Sequence, residues 1–261
     1  EVQSTKELHA KAGQEFYNKK NLRSNGAMVL DSAQDFSNTG TIGSGGTLSI
    51  QSLRFVNDNN AQLSGEGLQV KADEEINNKG KLVSGKDAYL SGINLTNTGD
   101  ILGQDNVTLI GTTGFANLKT IASGKELKVA SQGKVHNTDN LYSGTAMDIA
   151  CDADLINLGQ INSSGTITIN SQKAVYNKKQ ISGTTGVTIT STQDLVNEDV
   201  MQSQGVLSLS SEANLRNEKL INGGKTVLVA NGILHNAKGG RIYGDDLTLK
   251  AQIINNIAEN K

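Results

Sequence analysis

Residues 154–170 read DLINLGQINSSGTITIN. Apolar and polar residues alternate in bursts too short for a helix, two glycines interrupt them, and TITIN carries the two-residue period of a strand. Nothing in the stretch is equipped for chemistry. Its meaning depends on whether the pattern recurs, and the rest of the chain repeats it.

Aligned on the asparagine that follows an apolar residue two places earlier, the copies are marked by Asn18, Asn38, Asn57, Asn78, Asn97, Asn117, Asn137, Asn157, Asn177, Asn197, Asn217 and Asn236, then the doublet Asn255-Asn256. The steps run from 19 to 21 residues, and from Asn97 to Asn217 every step is 20. Two places before the asparagine stand Phe16, Phe36, Phe55, Ile76, Leu95 and their equivalents; four places after it, Leu or Ile, as at Leu22, Ile42, Leu141 and Ile161. Ten and twelve places after it come apolar pairs such as Leu48 with Ile50 and Ile167 with Ile169. That spacing places both members of a pair on one side of a strand, and the polar residue between them, as at Ser49 or Thr168, on the other.

Six places after the asparagine only small residues occur, Ser24, Ser84, Gly103, Ser163 and Gly183 among them, with Ser64 shifted by one. A tight interior corner predicts such a column, and the glycines that follow it, such as Gly165 and Gly205, are expected to supply bends. A unit of this size cannot bury its own apolar side, so the copies must stack. The expected fold is all-β: a right-handed parallel β-helix of about 13 coils, ~20 residues and three short strands per coil, rising ~4.7–4.9 Å per coil to ~60 Å. Helical repeats are longer, and the leucine-rich frame is not present. Stacked asparagines are expected to pass side-chain amide hydrogen bonds from coil to coil, and asparagine also tolerates a left-handed turn.

Composition agrees. There are 29 glycines, no proline, no tryptophan, 4 phenylalanines and 5 tyrosines, so the core must be aliphatic, and proline is the residue that central strands exclude. A formal net charge of -2 with mixed signs provides no field to gather nucleic acid or anionic lipid. No apolar run approaches the ~20 residues of a membrane span, so membrane insertion is not expected. The chain is expected to form a single β-helix over 1–261: a partial first coil at 1–17, regular coils at 18–256 and a tail at 257–261. The pattern runs nearly to both ends without polar caps, which reads as a segment of a longer shaft with neighbouring coils at each end.

Candidates for chemistry are weak. Glu15 and Asp35, followed by Arg54 and Glu75, and Glu198 with Glu218 put acids in one column, and a close pair would suit a retaining glycosidase. Coil length varies too little to wall a cleft, and the first column alternates in sign like a solvated salt ladder. His136 and His235 both precede a ladder asparagine but stand five coils, ~24 Å, apart at the strand spacing, too far to share a metal. His9 is isolated, and Cys151 occupies a column otherwise filled by Ser32, Ser52, Ser131, Ser171, Ser191 and Ser211. Lys19-Lys20 and Lys178-Lys179 share columns with Glu198, Asp199 and Glu218 and form a charged edge. The outward tyrosines, Tyr89, Tyr142 and Tyr243, with Tyr17 and Tyr176 beside the ladder, make a weak case for carbohydrate. No catalytic, cofactor-binding or metal-binding residues are assigned.

The repeats FSNTGTIGSGGTLSI at 36–50, LTNTGDILGQDNVTLIG at 95–111 and LINLGQINSSGTITI at 155–169 resemble the filamentous haemagglutinin repeats of two-partner secreted exoproteins of Gram-negative bacteria, which include adhesins and effectors of contact-dependent growth inhibition. The resemblance implies an extracellular, cell-surface-associated, non-catalytic stalk or receptor-presenting region. The implied partners are an outer-membrane two-partner transporter during export and a receptor on a target or host cell. A dedicated receptor- or glycan-binding module is the alternative, and a polysaccharide-degrading β-helix enzyme a more distant one.

Overall fold

A computed structural model describes residues 1–257, and every regular element in it is a β-strand. The chain divides into two compact units, residues 1–130 and 131–261, each a parallel β-solenoid. In the second unit the coil that contains the opening stretch has strands at Leu155–Asn157, Gln160–Ser163 and Thr166–Ser171. Each pairs in parallel with its equivalent one coil later: Leu155 with Val175, Ile161 with Ile181, Ile169 with Ile189. Leu155, Ile161 and Ile169 are completely buried, and Ile167 nearly so, whereas Thr168 between the last two is not. Four aliphatic side chains at ~1.5–3 kcal/mol apiece supply the drive for each coil, before the entropy of ordering it is subtracted.

The first unit repeats this plan and adds aromatic stacking. Phe16, Phe36 and Phe55 lie over one another, with centroids 4.9 and 5.7 Å apart and rings inclined by 9° and 16°. Three separate strands per coil do not hold everywhere. In the first unit the apolar-pair strand runs through its corner into the ladder strand, giving Leu48–Asn57, Leu68–Asn78, Ala88–Asn97 and Val107–Asn117. The register slips at the bends, as between Lys71 and Glu75, so the uneven step lengths are absorbed by bulges. In the second unit a different corner is continuous, in Val200–Ser211 and Leu220–Ala230.

Two expectations about the corners are corrected. The ladder asparagines are not left-handed: among the described residues the only positive-φ positions are Asn60 (φ 64°) and Gly239 (φ 84°). Each belongs to a turn with two extra residues, closed by Ala61 N–H to the Asp58 carbonyl at 3.1 Å and by Gly240 N–H to the Ala237 carbonyl at 2.8 Å. The insertion at Asn59-Asn60 also moves the small interior position to Gly65, which pairs with Ser84, while Ser64 pairs with Val83. Gly165 is a glycine for lack of room rather than for an unusual φ, because an added Cβ would fall on the Thr145 carbonyl oxygen of the preceding coil.

The interior serines do more than fit. Ser123 Oγ donates to the Glu126 carbonyl at 2.7 Å, and Ser171 Oγ to the Ala153 carbonyl at 2.8 Å, so buried hydroxyls tie down the corner backbone. Ser52 is the exception: its buried Oγ has no hydrogen-bond partner among the described residues.

Candidate functional site

Asparagine is the fixed letter of the repeat because its side-chain amide is used completely. In the first unit Nδ2 of Asn18, Asn38, Asn57, Asn78 and Asn97 each donates to Oδ1 of the next ladder asparagine at 2.7–2.9 Å, Asn97 to that of Asn117. In the second unit the same bond, at 2.8 Å, runs from Asn137 through Asn157, Asn177, Asn197, Asn217 and Asn236 to Asn256. Each Nδ2 carries two hydrogens. At Asn18, Asn137 and Asn177 the second goes to the carbonyl two residues on, Lys20, Asp139 and Lys179, and closes the turn. Asn157, Asn177, Asn197 and Asn217 are fully buried, so a residue that could not do both would leave polar groups stranded.

The acid columns are engaged by neighbours. Arg54 holds Asp35 with two bonds, Nε to Oδ1 at 2.8 Å and Nη2 to Oδ2 at 2.9 Å, and its own pKa is pushed up by that pairing. Glu75 flanks Arg54 in the next coil. Tyr17 Oη donates to Glu15 at 2.7 Å, which raises the phenol pKa. Glu198 meets Lys178 at 3.2 Å, and Glu218 meets Arg216 at 2.8 Å. These are partly solvated pairs, which add little stability.

The remaining candidates stay apart. His136 lies beside Ile156, and His235 between Arg216 and Asn255. His9 is within 3.6 Å of Glu7 on an exposed strand. No group of three His, Cys, Asp or Glu among the described residues could hold a metal ion. Cys151 is buried in register with Ser171, its Sγ 3.1 Å from the Ala153 carbonyl, and burial pushes its thiol pKa up, away from a reactive thiolate. Lys71 sits 6.0 Å from the Tyr89 ring centre.

One surface feature of the second unit escapes a search for known motifs. The outward position five residues after the ladder asparagine stacks Tyr142, Asn162, Ser182, Gln202 and Asn222 in a single column, which continues at Tyr243, seven residues after Asn236 because of the two extra residues in that turn. Tyr142 Oη and Ser164 Oγ are 2.9 Å apart, and Gln202 Nε2 donates to Ser182 Oγ at 3.1 Å. A depression of about 430 Å³ is lined by Ser182, Gln202 and Asn222 of this column together with Gly223, Gly224, Gln204 and Asp245. The signal was present in the sequence but only in the vertical direction, as one position read across successive coils.

The haemagglutinin repeat profile matches the chain in four overlapping segments, residues 3–73, 59–139, 102–157 and 152–260. No curated protein and no solved structure matches it. Repeated matches from near one end of the sequence to the other, on coils whose spacing and asparagine ladder are those of the structure, make the chain a member of the haemagglutinin repeat family.

Proposed function

We propose that this protein is a non-catalytic, extracellular part of the shaft of a Gram-negative exoprotein, an adhesin or a contact-dependent inhibition effector, exported through an outer-membrane two-partner transporter. The observation that carries the reading is the repeat match over nearly all of the chain. The evenness of the coils supports it: successive ladder asparagines are 19 to 21 residues apart, which leaves no long loop to enclose a substrate. Repetition of one stacking unit suits a part whose task is to span distance and present a surface.

The test is labelling of intact cells that express the parent protein with its transporter. An antibody against residues 131–257 is expected to stain unpermeabilised cells, and to lose that staining when the transporter is deleted. Staining only after permeabilisation overturns the proposal. Incubation with acidic and neutral polysaccharides is expected to produce no new reducing ends.

A further inference from the structure

We infer that the Tyr142–Tyr243 column of the second unit binds a linear, uncharged, β-linked glycan laid along the stacking direction of the coils. The inference rests on side-chain chemistry and holds whether or not the shaft is displayed outside the cell.

The first observation is that the solenoid does not need this column to be polar. The equivalent position in the first unit reads Arg23, Gly43, Ser64, Val83, Leu102, Ala122. Apart from Arg23 these are small or aliphatic, so Gly43, Val83, Leu102 and Ala122 show that the fold accepts such residues at this place. Three amides, Asn162, Gln202 and Asn222, and two tyrosines stand in this column in the second unit and none in the first, and ordering them on a sheet face costs rotamer freedom without filling a core.

The second is the kind of polarity. Within the column there is no charged side chain. Gln and Asn present both a donor and an acceptor in one plane, which suits sugar hydroxyls and acetamido groups, whereas an anionic polymer would call for Lys or Arg. On the strands themselves charge enters at the Tyr243 end, where Arg241 precedes Tyr243 by two residues and Asp245 follows it by two, while Lys179, Asp199 and Lys219, of mixed sign, lie on the adjoining bends three residues before Ser182, Gln202 and Asn222.

The third is spacing. Two tyrosines, 42 % and 51 % exposed, bracket the column. The negative faces of their rings are suited to the polarised C–H face of a pyranose. The steps between are those of neighbouring strands, ~4.7–4.9 Å. An extended β-1,4-linked chain advances by a similar length per sugar, so successive rings meet successive side chains. A coiled α-linked chain does not keep that step. The depression of about 430 Å³ lined by Ser182, Gln202 and Asn222 has room for one ring among these side chains.

The experiment is titration of the full chain with cellohexaose and chitohexaose, with maltohexaose and heparin as comparison ligands. Binding is followed by saturation-transfer NMR and calorimetry, and folding of each variant by circular dichroism. At least one β-linked hexamer is expected to bind more tightly than maltohexaose or heparin. Gln202→Ala with Asn222→Ala is expected to weaken binding about tenfold, roughly the loss of one or two well-made hydrogen bonds. Tyr243→Ala should weaken it as well, and Tyr89→Ala, in the first unit, should leave it unchanged. The inference is overturned if neither β-linked hexamer binds at millimolar concentration, if heparin binds best, or if the folded double variant binds as the parent does. Loss of cell-surface staining in the preceding experiment would leave these outcomes untouched.

Discussion

Asn157 donates one amide hydrogen to Oδ1 of Asn177 at 2.8 Å and directs the same nitrogen toward the Gln180 carbonyl at 3.1 Å. One buried side chain therefore joins its own coil to the ladder and to the backbone of the next. Asn157→Ala removes the acceptor that Asn137 uses and the donor that Asn177 uses. With two buried groups affected at ~1–3 kcal/mol each, the expected loss is roughly 2–6 kcal/mol, measured by denaturant unfolding. A loss under about 0.5 kcal/mol would show that the ladder is ornament.

Ile169 stacks between Ile149 and Ile189, fully buried, so Ile169→Asp places an unpaired carboxylate in an aliphatic column. The expected cost exceeds about 4 kcal/mol. Thr168→Asp faces solvent, but Asp148 lies in register beside it. The like-charge contact costs ~0.2–1 kcal/mol and fades in high salt. Equal melting temperatures for the two variants would invalidate the inward and outward assignment.

Ser52 carries a buried hydroxyl without a partner, and its neighbour in the column is Ala72. Ser52→Ala is therefore expected to be neutral or to stabilise by up to about 1 kcal/mol, since it removes a polar group that is desolvated for nothing. Ser171→Ala, which deletes a bond to the Ala153 carbonyl, should cost about 1 kcal/mol. Thermal unfolding of the two variants side by side decides it.

The Cys151 thiol has its pKa raised by burial from the ordinary 9.0. A group raised in the folded state contributes stability that is complete below its unfolded pKa and declines as pH rises through the folded value. Stability is therefore expected to fall above about pH 9. In Cys151→Ser that component should be absent, while stability near neutral pH changes by less than about 1 kcal/mol, because the serine in the next coil already bonds the same carbonyl. Alkylation of the folded protein by iodoacetamide should be far slower than of the unfolded chain; equal rates would contradict the burial.

The fold was legible because a solenoid writes its geometry into the spacing of like residues. Phe36, Ile42, Leu48 and Ile50 each recur one coil later at Phe55, Leu63, Leu68 and Val70, and each pair is in register. The corners were less legible because a bend depends on a few local residues. The Asn59-Asn60 insertion shifted the small position to Gly65, and nothing in the count of residues distinguished a sharp corner from the continuous strand at Leu68–Asn78. The asparagine ladder was read correctly for its hydrogen bonds and wrongly for its backbone. Stacked amides follow from register alone, whereas φ depends on how the turn is closed. The Tyr142–Tyr243 column was missed since no one residue type runs through it; only a common place in the coil unites its members.

Backbone bonds between coils run both ways, but the ladder bonds from Asn18 to Asn117 and from Asn137 to Asn256 each have the donor in the earlier coil and the acceptor in the later one. A coil consequently has a hydrogen-giving side and a hydrogen-taking side, like the two sexes of a plug. Inverting one coil would set amide hydrogens against amide hydrogens in a dry interior. The row of asparagines thus acts as an arrow built into the molecule, admitting each added turn in one sense only.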